Sequence, residues 1–128
     1  SAINGYKDLL VWQKAMDLAA DACRLARSLP KTEEYRLTGQ LIRAAASVPA
    51  NIAEGTGRGS RWDYAQFVSI AYGSLCETET HLLLLVKVGL LTDHNVQRSL
   101  GLCREVGKML VSLRSRLKEP TTLPRGAA

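Results

Sequence analysis

The chain has 128 residues, a formal net charge of +5 and only 5% aromatic residues. This length is sufficient for one domain whose core needs neither disulfides nor a metal ion to fold. No apolar run reaches the roughly 20 residues of a membrane-spanning helix, and the first residues lack the pattern of a signal peptide. We therefore expect one soluble, cytoplasmic domain over residues 1–128, with a core over about 6–118 and a mobile tail over 119–128.

The composition favours an all-α fold. Leucine and alanine dominate, and runs of Val, Ile, Thr and aromatic residues, which are typical of strands, are absent. The three cysteines are far apart and show no Cys-x-x-Cys spacing, so the sequence indicates neither a disulfide framework nor a zinc site. No cofactor is expected.

The first helix is predicted to begin after a short arm, with Asp8 as its cap. Apolar residues then recur at alternating spacings of three and four, which predicts one buried face. The residues of this predicted face are Leu9, Trp12, Met16, Ala19, Cys23 and Ala26. Leu29 and Pro30 end the helix. Thr32, followed by two glutamates, is a predicted start for the next one.

The second predicted helix lies in the stretch 37–60 and has two faces of similar width. The apolar face is Leu37, Leu41, Val48 and Ile52, and the polar face is Arg36, Gln40, Arg43, Ser47, Asn51, Glu54 and Arg58. A polar face of mixed charge beside several alanines suits a neighbouring helix or a partner surface. The residues predicted to contact another helix or subunit are Arg43, Ser47, Asn51 and Glu54.

Pro49 lies inside this helix, where it removes the hydrogen bond to the Ala45 carbonyl. We predict a kink there, more simply a bend tolerated in a packed bundle than a functional hinge. The glycine run at 55, 57 and 59 is predicted to end the helix in a left-handed conformation. A phosphate-binding loop is the weaker alternative, because the run follows a helix and lacks the Gly-Lys-Ser or Gly-Lys-Thr ending.

Two long helices complete the chain. Ser60 is the predicted cap of the third, Gly89 its predicted end, and Thr92 the predicted start of the fourth. Their predicted buried faces are Tyr64, Val68, Ala71, Leu75, Thr78, Leu82 and Leu85 in the third and Val96, Cys103, Val106, Leu110, Leu113 and Leu117 in the fourth. Short connections make neighbouring helices antiparallel, so we predict an all-α, antiparallel up-down-up-down four-helix bundle with a proline kink in helix two.

The positive charge is concentrated at the C-terminal end. Residues 1–97 contain ten basic and ten acidic residues, so residues 98–125 carry the whole net charge of +5. Such a surface suits phosphates or an acidic partner, although a solvated face is an equally good interpretation, and this helix lacks aromatic residues for stacking on single-stranded bases. The candidate nucleic-acid-binding residues are Arg98, Arg104, Lys108, Arg114, Arg116 and Lys118, with Arg43, Arg58 and Arg61.

No metal or catalytic site is predicted. Ferritin-like sites repeat Glu-x-x-His on paired helices, whereas Glu77 and His81 are four residues apart and His94 has no carboxylate partner. A weak exposed pair is the better interpretation of Glu77 and His81. Serines and His81 occur without a nucleophile elbow or an oxyanion loop.

Three glutamates near the arginines are interpreted as structural rather than catalytic. We expect them to form ion pairs across helices two and three or between subunits. The predicted acidic partners are Glu54, Glu77 and Glu79, and the predicted basic partners are Arg43, Arg58 and Arg61.

Several motifs together carry a family resemblance. They are YKDL at 6–9, VWQKA at 11–15, LT at 37–38 with Gln40, RAA at 43–45, SVPANIAEG at 47–55, GR at 57–58 with Ser60, and Phe67, IA at 70–71 and GSL at 73–75 with Glu77 and Glu79. Over about residues 6–117 the chain resembles the four-helix bundle proteins also called 23S ribosomal RNA intervening-sequence proteins. The segment PANIAEG at 49–55 is the most specific part.

The resemblance implies a bundle that assembles into a ring, often a homopentamer. It also implies similarity to the accessory protein of diversity-generating retroelements, which binds nucleic acid beside a reverse transcriptase. Family members often have two adjacent arginines before Ala-Ala, whereas this chain has Ile42 before Arg43. A nucleic-acid surface built from that pair would be weakened here.

Three functions compete at this point. The first is a ring-forming, non-catalytic bundle that holds RNA or DNA by its phosphates. The second is a protein-interaction scaffold without a nucleic-acid ligand, in which the polar face of helix two makes subunit contacts. The third is a metal-dependent or hydrolytic enzyme.

Overall fold

The computed structural model describes residues 5–31 and 35–120, which form one short 3₁₀ turn and four α-helices. The turn spans Gly5–Asp8, and the helices are α1 (Leu10–Arg27), α2 (Tyr35–Thr56), α3 (Arg61–Lys87) and α4 (Asp93–Lys118). These residues contain no strand, and the all-α prediction is confirmed. The predicted helix start at Thr32 and the tail over 121–128 lie outside the described residues. Within the two ranges, no helix combines the length and apolarity of a membrane span.

The start of α1 differs from the prediction of an Asp8 cap. Asp8 belongs to the 3₁₀ turn, and the N-cap residue is Leu9, whose side chain makes no capping hydrogen bond. The Leu9 amide donates to the Tyr6 carbonyl at 3.0 Å, and the Gln13 side chain donates to the Lys7 carbonyl at 2.9 Å. Backbone bonds of a 3₁₀ turn therefore lead into the helix at its N-cap residue.

The buried face of α1 lies one position away from the predicted one. Of the predicted face only Ala26 is buried, and Met16 is 44% exposed. The residues that α1 buries in the core are Val11, Ala15, Leu18, Ala22 and Ala26. Both faces repeat every three or four residues, so periodicity cannot separate them. The observed face places alanines against the neighbouring helices and so allows a close approach.

The apolar face of α2 is as predicted, because Leu41, Val48 and Ile52 are fully buried. The helix continues through Pro49, and the kink stays a prediction. Its end is different from the predicted left-handed stop, since Gly57 and Gly59 do not have a positive φ. Instead, amides at 57 and 58 donate to the carbonyls three residues earlier, each at 3.1 Å.

Gly55 lies within α2 and is needed for close packing rather than for its backbone freedom. A Cβ atom there would lie 2.9 Å from Cδ1 of Tyr64 and 3.0 Å from Cβ of Phe67, both on α3. Atoms at those distances overlap, so any side chain at this position forces the two helices apart. The absence of a Cβ therefore sets how closely α2 and α3 pack at this end of the bundle.

The predicted starts of α3 and α4 are confirmed. The Ser60 hydroxyl accepts a hydrogen bond from the Asp63 amide at 3.1 Å. Thr92 and Asn95 exchange hydrogen bonds at 3.1 Å and 2.8 Å, which is a reciprocal capping box. Gly89, the predicted end of α3, follows the helix with a φ of +83°, the left-handed conformation typical of a glycine at a helix end.

The buried faces of α3 and α4 also follow the predicted spacing. In α3 every predicted residue after the first is buried, and Tyr64 is partly buried. In α4 Val96, Cys103, Val106 and Leu110 are buried, while the last two predicted leucines are partly buried. The buried faces of these two long helices can therefore be predicted from the spacing of three and four residues in the sequence.

The helices form a four-helix bundle. Each helix packs against the next one along the chain, and α4 also packs against α1. Nζ of Lys14 lies 3.7 Å from Oε1 of Glu105, whereas Asp21 meets Ser99. The later residue of α1 thus meets the earlier residue of α4, as expected for antiparallel neighbours.

One buried polar cluster joins α1 to α4. The Asp21 carboxylate accepts a hydrogen bond from the fully buried Ser99 hydroxyl. Its other oxygen lies 2.9 Å from Nη2 of Arg24 and 3.7 Å from Nε of Arg98. The Asp21 side chain, which is only 12% exposed, thereby has hydrogen-bond and ionic partners on both helices, as a buried carboxylate requires.

Candidate nucleic-acid interface

The basic side chains of α4 do not all lie on one surface. Arg104, Lys108 and Arg116 line a groove of about 730 Å³ between α3 and α4. At 1.5 Å per residue, about 6 Å separates the first two along the helix axis and about 12 Å the last two. Arg98 lies at the other end of the helix beside Asp21, and Lys118 is exposed in the last turn without lining the groove.

The groove contains an aromatic ring that α4 itself lacks. Tyr72 of α3 lines it, and the guanidinium of Arg114 lies 5.3 Å from the centroid of that ring. A Cβ atom on Gly107 would lie 3.3 Å from Leu75 and 4.0 Å from Tyr72. The bare backbone at Gly107 therefore lets α3 side chains reach α4. Tyr72 was not a sequence candidate, because a search along one helix does not reveal an aromatic residue on its neighbour.

The floor of the groove holds an unreactive thiol. Burial, together with smaller contributions from the nearby Glu79 and Cys76, raises the pKa of Cys103 to about 12. At neutral pH this thiol is therefore protonated, and it lacks the thiolate that a cysteine nucleophile needs. Glu79 lies near the Cys103 end of the groove and Glu119 lines the Arg116 end, so both ends carry a carboxylate.

The first residue of α3 meets the C-terminal end of α4. Arg61 donates a hydrogen bond to the carbonyl of Arg116 in the last turn of α4, which also accepts a hydrogen bond from the Glu119 amide at 3.3 Å. Burial raises the pKa of Tyr64 above its ordinary value, and the positive charge of Arg116 opposes that shift. Arg61 is thus brought to the end of the α3–α4 groove.

The other two arginine candidates lie apart from the groove lining. The guanidinium of Arg58 lies 4.7 Å from the centroid of Phe67 and 3.6 Å from the carboxylate of Glu54. Arg43 is exposed, and its side chain lies along the surface of its own helix near Gly39. Within residues 5–31 and 35–120 no ion pair is formed by Arg43.

Part of the polar face of α2 is used inside the subunit. The Ser47 hydroxyl lies 2.8 Å from that of Ser74 on α3. Asn51 donates to the carbonyl and the hydroxyl of Ser47, at 2.8 Å and 2.9 Å. Glu54 is exposed and pairs with Arg58 in the same segment. Ser47 therefore contributes to the contact between α2 and α3, and Asn51 holds the Ser47 side chain from within α2.

The predicted pairs of Glu77 and Glu79 are not formed among the described residues. Neither glutamate makes an ion pair there. The prediction of an exposed pair between Glu77 and His81 is wrong. Both ring nitrogens of His81 are buried and have no hydrogen-bond partner within those residues. The same ranges contain no group of three or more His, Cys, Asp or Glu side chains able to hold a metal ion.

A second groove, of about 460 Å³ and apolar, lies between α1 and α2. It is lined by residues of the predicted α1 face and by the small residues around the proline of α2. These are Tyr6, Trp12, Met16, Ala19, Ala20, Cys23, Ala46, Pro49, Ala50 and Ala53. The rings of Tyr6 and Trp12 meet edge to face, with centroids 5.2 Å apart. The apolar face predicted for the core thus borders an outer surface.

Comparison with known proteins places this arrangement in a family. A crystal structure of a protein of unknown function from the S23 ribosomal protein family of Bacteroides thetaiotaomicron is 26% identical in sequence. The match covers 86% of this chain and 100% of that one, with a TM-score of 0.74. No curated protein matches the sequence. The model of the 23S rRNA-intervening sequence protein family matches residues 7–112, from the 3₁₀ turn into α4, and the chain therefore belongs to that family.

Proposed function

We propose that this protein is a non-catalytic, homo-oligomeric bundle that binds RNA or DNA through phosphate contacts. The observation that carries the proposal is the α3–α4 groove, where Arg104, Lys108 and Arg116 follow one another along a single helix. Cationic side chains in a row suit a phosphate backbone, and releasing its counterions drives such binding. The family description and the name of the structural relative both refer to the ribosome, which agrees with an RNA ligand.

A binding role fits the chemistry of the groove better than catalysis. Its buried thiol, Cys103, is held in the protonated form, so it is a poor nucleophile. The two groove carboxylates, Glu79 and Glu119, lie towards opposite ends rather than as a pair. Acid and base catalysis by carboxylates requires two groups close enough to act on one bond.

The proposal is tested by fluorescence anisotropy with a labelled RNA of mixed single- and double-stranded structure. We expect binding at about 50 mM salt that falls steeply by about 200 mM. Replacing Arg104 and Lys108 together by glutamine should weaken it by roughly tenfold and reduce the slope of log affinity against log salt by about 1 per lost contact.

A matched control separates the groove from net charge. The double variant Arg27→Gln with Lys87→Gln also removes two exposed positive charges, but from the ends of α1 and α3. It should bind almost as tightly as the unaltered protein. Equal weakening in both double variants, or no binding at the lower salt concentration, would contradict the proposal.

Self-association is assigned to the apolar groove between α1 and α2. Ring assembly, which the family resemblance implies, requires each subunit to offer an apolar surface, and this groove contains Met16 at 44% exposure. Ala50 is exposed and lines it. We expect Ala50→Glu to reduce the mass seen by sedimentation velocity to that of a monomer, because it places a charge in the interface.

The control for this prediction is Ala20→Glu compared with Gln66→Glu. Ala20 is an exposed residue of the same groove, whereas Gln66 is an exposed residue of α3 outside it. Ala20→Glu should dissociate the assembly, whereas Gln66→Glu should leave it intact. An unaltered mass for both alanine variants would remove the groove from the interface.

A protein-interaction scaffold is the second candidate function, and the same groove favours it. An exposed apolar groove of this kind is typical of protein partner sites. In that case Ala50→Glu would abolish capture of a partner protein while the glutamine variants of the α3–α4 groove left it unchanged.

A further inference from the structure

One aromatic side chain stands exposed at the end of the α3–α4 groove. Trp62 is 64% exposed, more than any other large apolar side chain in the described ranges. It follows Arg61, whose side chain donates to the carbonyl of Arg116, a residue that lines the groove. The start of α3, with Trp62, is thus held beside the C-terminal end of the groove.

The helical repeat places Trp62 in line with Cys76, an exposed residue at the rim of this groove. Cys76, which lines the groove, follows Trp62 by fourteen residues. That separation is close to four turns, so the two residues lie on one face, with about 21 Å between them along the axis. The exposed indole of Trp62 and the groove therefore lie on the same side of the bundle.

The groove itself combines one aromatic ring with cationic side chains. Tyr72 lines it with Arg114 over its ring, and Lys108 lies between the two ends that carry Glu79 and Glu119. A basic groove with aromatic platforms is the arrangement that binds single strands, because an unpaired base offers a free π-face. In a duplex these faces are covered by neighbouring base pairs, so an exposed indole would have nothing to stack on.

We propose that the α3–α4 groove binds single-stranded nucleic acid, with phosphates on Arg104, Lys108 and Arg116 and bases stacked on Trp62 and against Tyr72. The inference rests on the proposed function and narrows its ligand. Glu79 and Glu119 repel phosphates at the two ends, so the strongest phosphate contact falls on Lys108. Base identity matters little, since every base has a face for stacking.

Tryptophan fluorescence tests the contact directly. Trp12, which packs against Tyr6, is the other tryptophan, so Trp12→Phe leaves Trp62 as the single reporter. Titration of this variant with a short oligouridylate at low salt should quench the emission. A hairpin duplex of the same length should leave it almost unchanged, as should inorganic phosphate.

Affinity measurements with labelled oligonucleotides provide the second test. Trp62→Ala should weaken binding of the single strand by about tenfold and leave duplex binding unchanged. Ile70→Ala is the matched control, because Ile70 is another exposed apolar residue of α3, at 50% exposure, and it does not line the groove. Tyr72→Leu should act like Trp62→Ala, and circular dichroism should show unchanged helicity for all three variants.

The outcomes separate this inference from the proposed function. Equal affinity for single strand and duplex, or no effect of Trp62→Ala, would overturn the single-strand assignment while nucleic-acid binding stands. Failure of both ligands to bind the unaltered protein would overturn both. Quenching by the single strand alone, together with the loss in Trp62→Ala, supports the assignment.

Discussion

Replacing Gly55 by alanine is expected to lower the free energy of unfolding by about 1–3 kcal/mol. A Cβ atom at this position meets Tyr64 at 2.9 Å and Phe67 at 3.0 Å. The contact with Phe67 is to its Cβ, which cannot move unless the backbone of α3 moves. The helix propensity of alanine returns about 0.5–1 kcal/mol, which is less than the cost of separating α2 from α3. Urea denaturation followed by circular dichroism measures the difference.

The control is the same substitution at Gly73, in the middle of α3. A Cβ atom there has no neighbour within 4 Å among the described residues, and the position is exposed. Gly73→Ala should therefore raise the unfolding free energy by about 0.5–1 kcal/mol, because alanine loses less backbone entropy in a helix. The two glycine-to-alanine substitutions should thus change the free energy of unfolding in opposite directions. A stabilising Gly55→Ala would show that α2 and α3 can separate at little cost.

The second large effect is expected at Asp21. In Asp21→Ala the buried Ser99 hydroxyl loses its acceptor, and the tie between α1 and α4 is removed. We expect a loss of about 1–3 kcal/mol in the free energy of unfolding, the range for a buried polar group left without its partner. Arg24→Ala should cost less than about 1 kcal/mol, because that side chain is 52% exposed and its ion pair is screened by water.

A double-mutant cycle isolates the buried bond. Ser99→Ala together with Asp21→Ala should cost less than the sum of the two single changes, because either one already breaks the hydrogen bond. Chemical denaturation of the unaltered protein, the two single variants and the double variant gives the coupling free energy between the two side chains. Strict additivity would mean that the Asp21 and Ser99 side chains do not interact in solution.

The local features of the fold were largely predictable. Capping by Ser60 and Thr92 and the stop at Gly89 depend on hydrogen bonds and φ angles within a few residues, so a short sequence window contains them. The long seams of α3 and α4 are equally local. The first-helix cap was missed because Asp8 is part of a 3₁₀ turn.

The site was less predictable because it combines residues from separate helices. The basic residues of α4 are evident in the charge distribution, but the pairing of Arg114 with Tyr72 and the position of Arg61 against Arg116 are contacts between helices. Trp62, next to the candidate Arg61 in the sequence, was not a sequence candidate. Arg43, a sequence candidate, proved to lie away from the groove lining.

The sequence by itself determined the helices, most of their ends, three of the four buried faces and the place of the excess positive charge, because each is a property of neighbours along the chain. Only the tertiary structure decided which apolar face of α1 is buried, why Gly55 has no side chain, and where a groove with cationic and aromatic groups forms. Those outcomes depend on the distances between packed helices, and residues far apart in the sequence set these distances together.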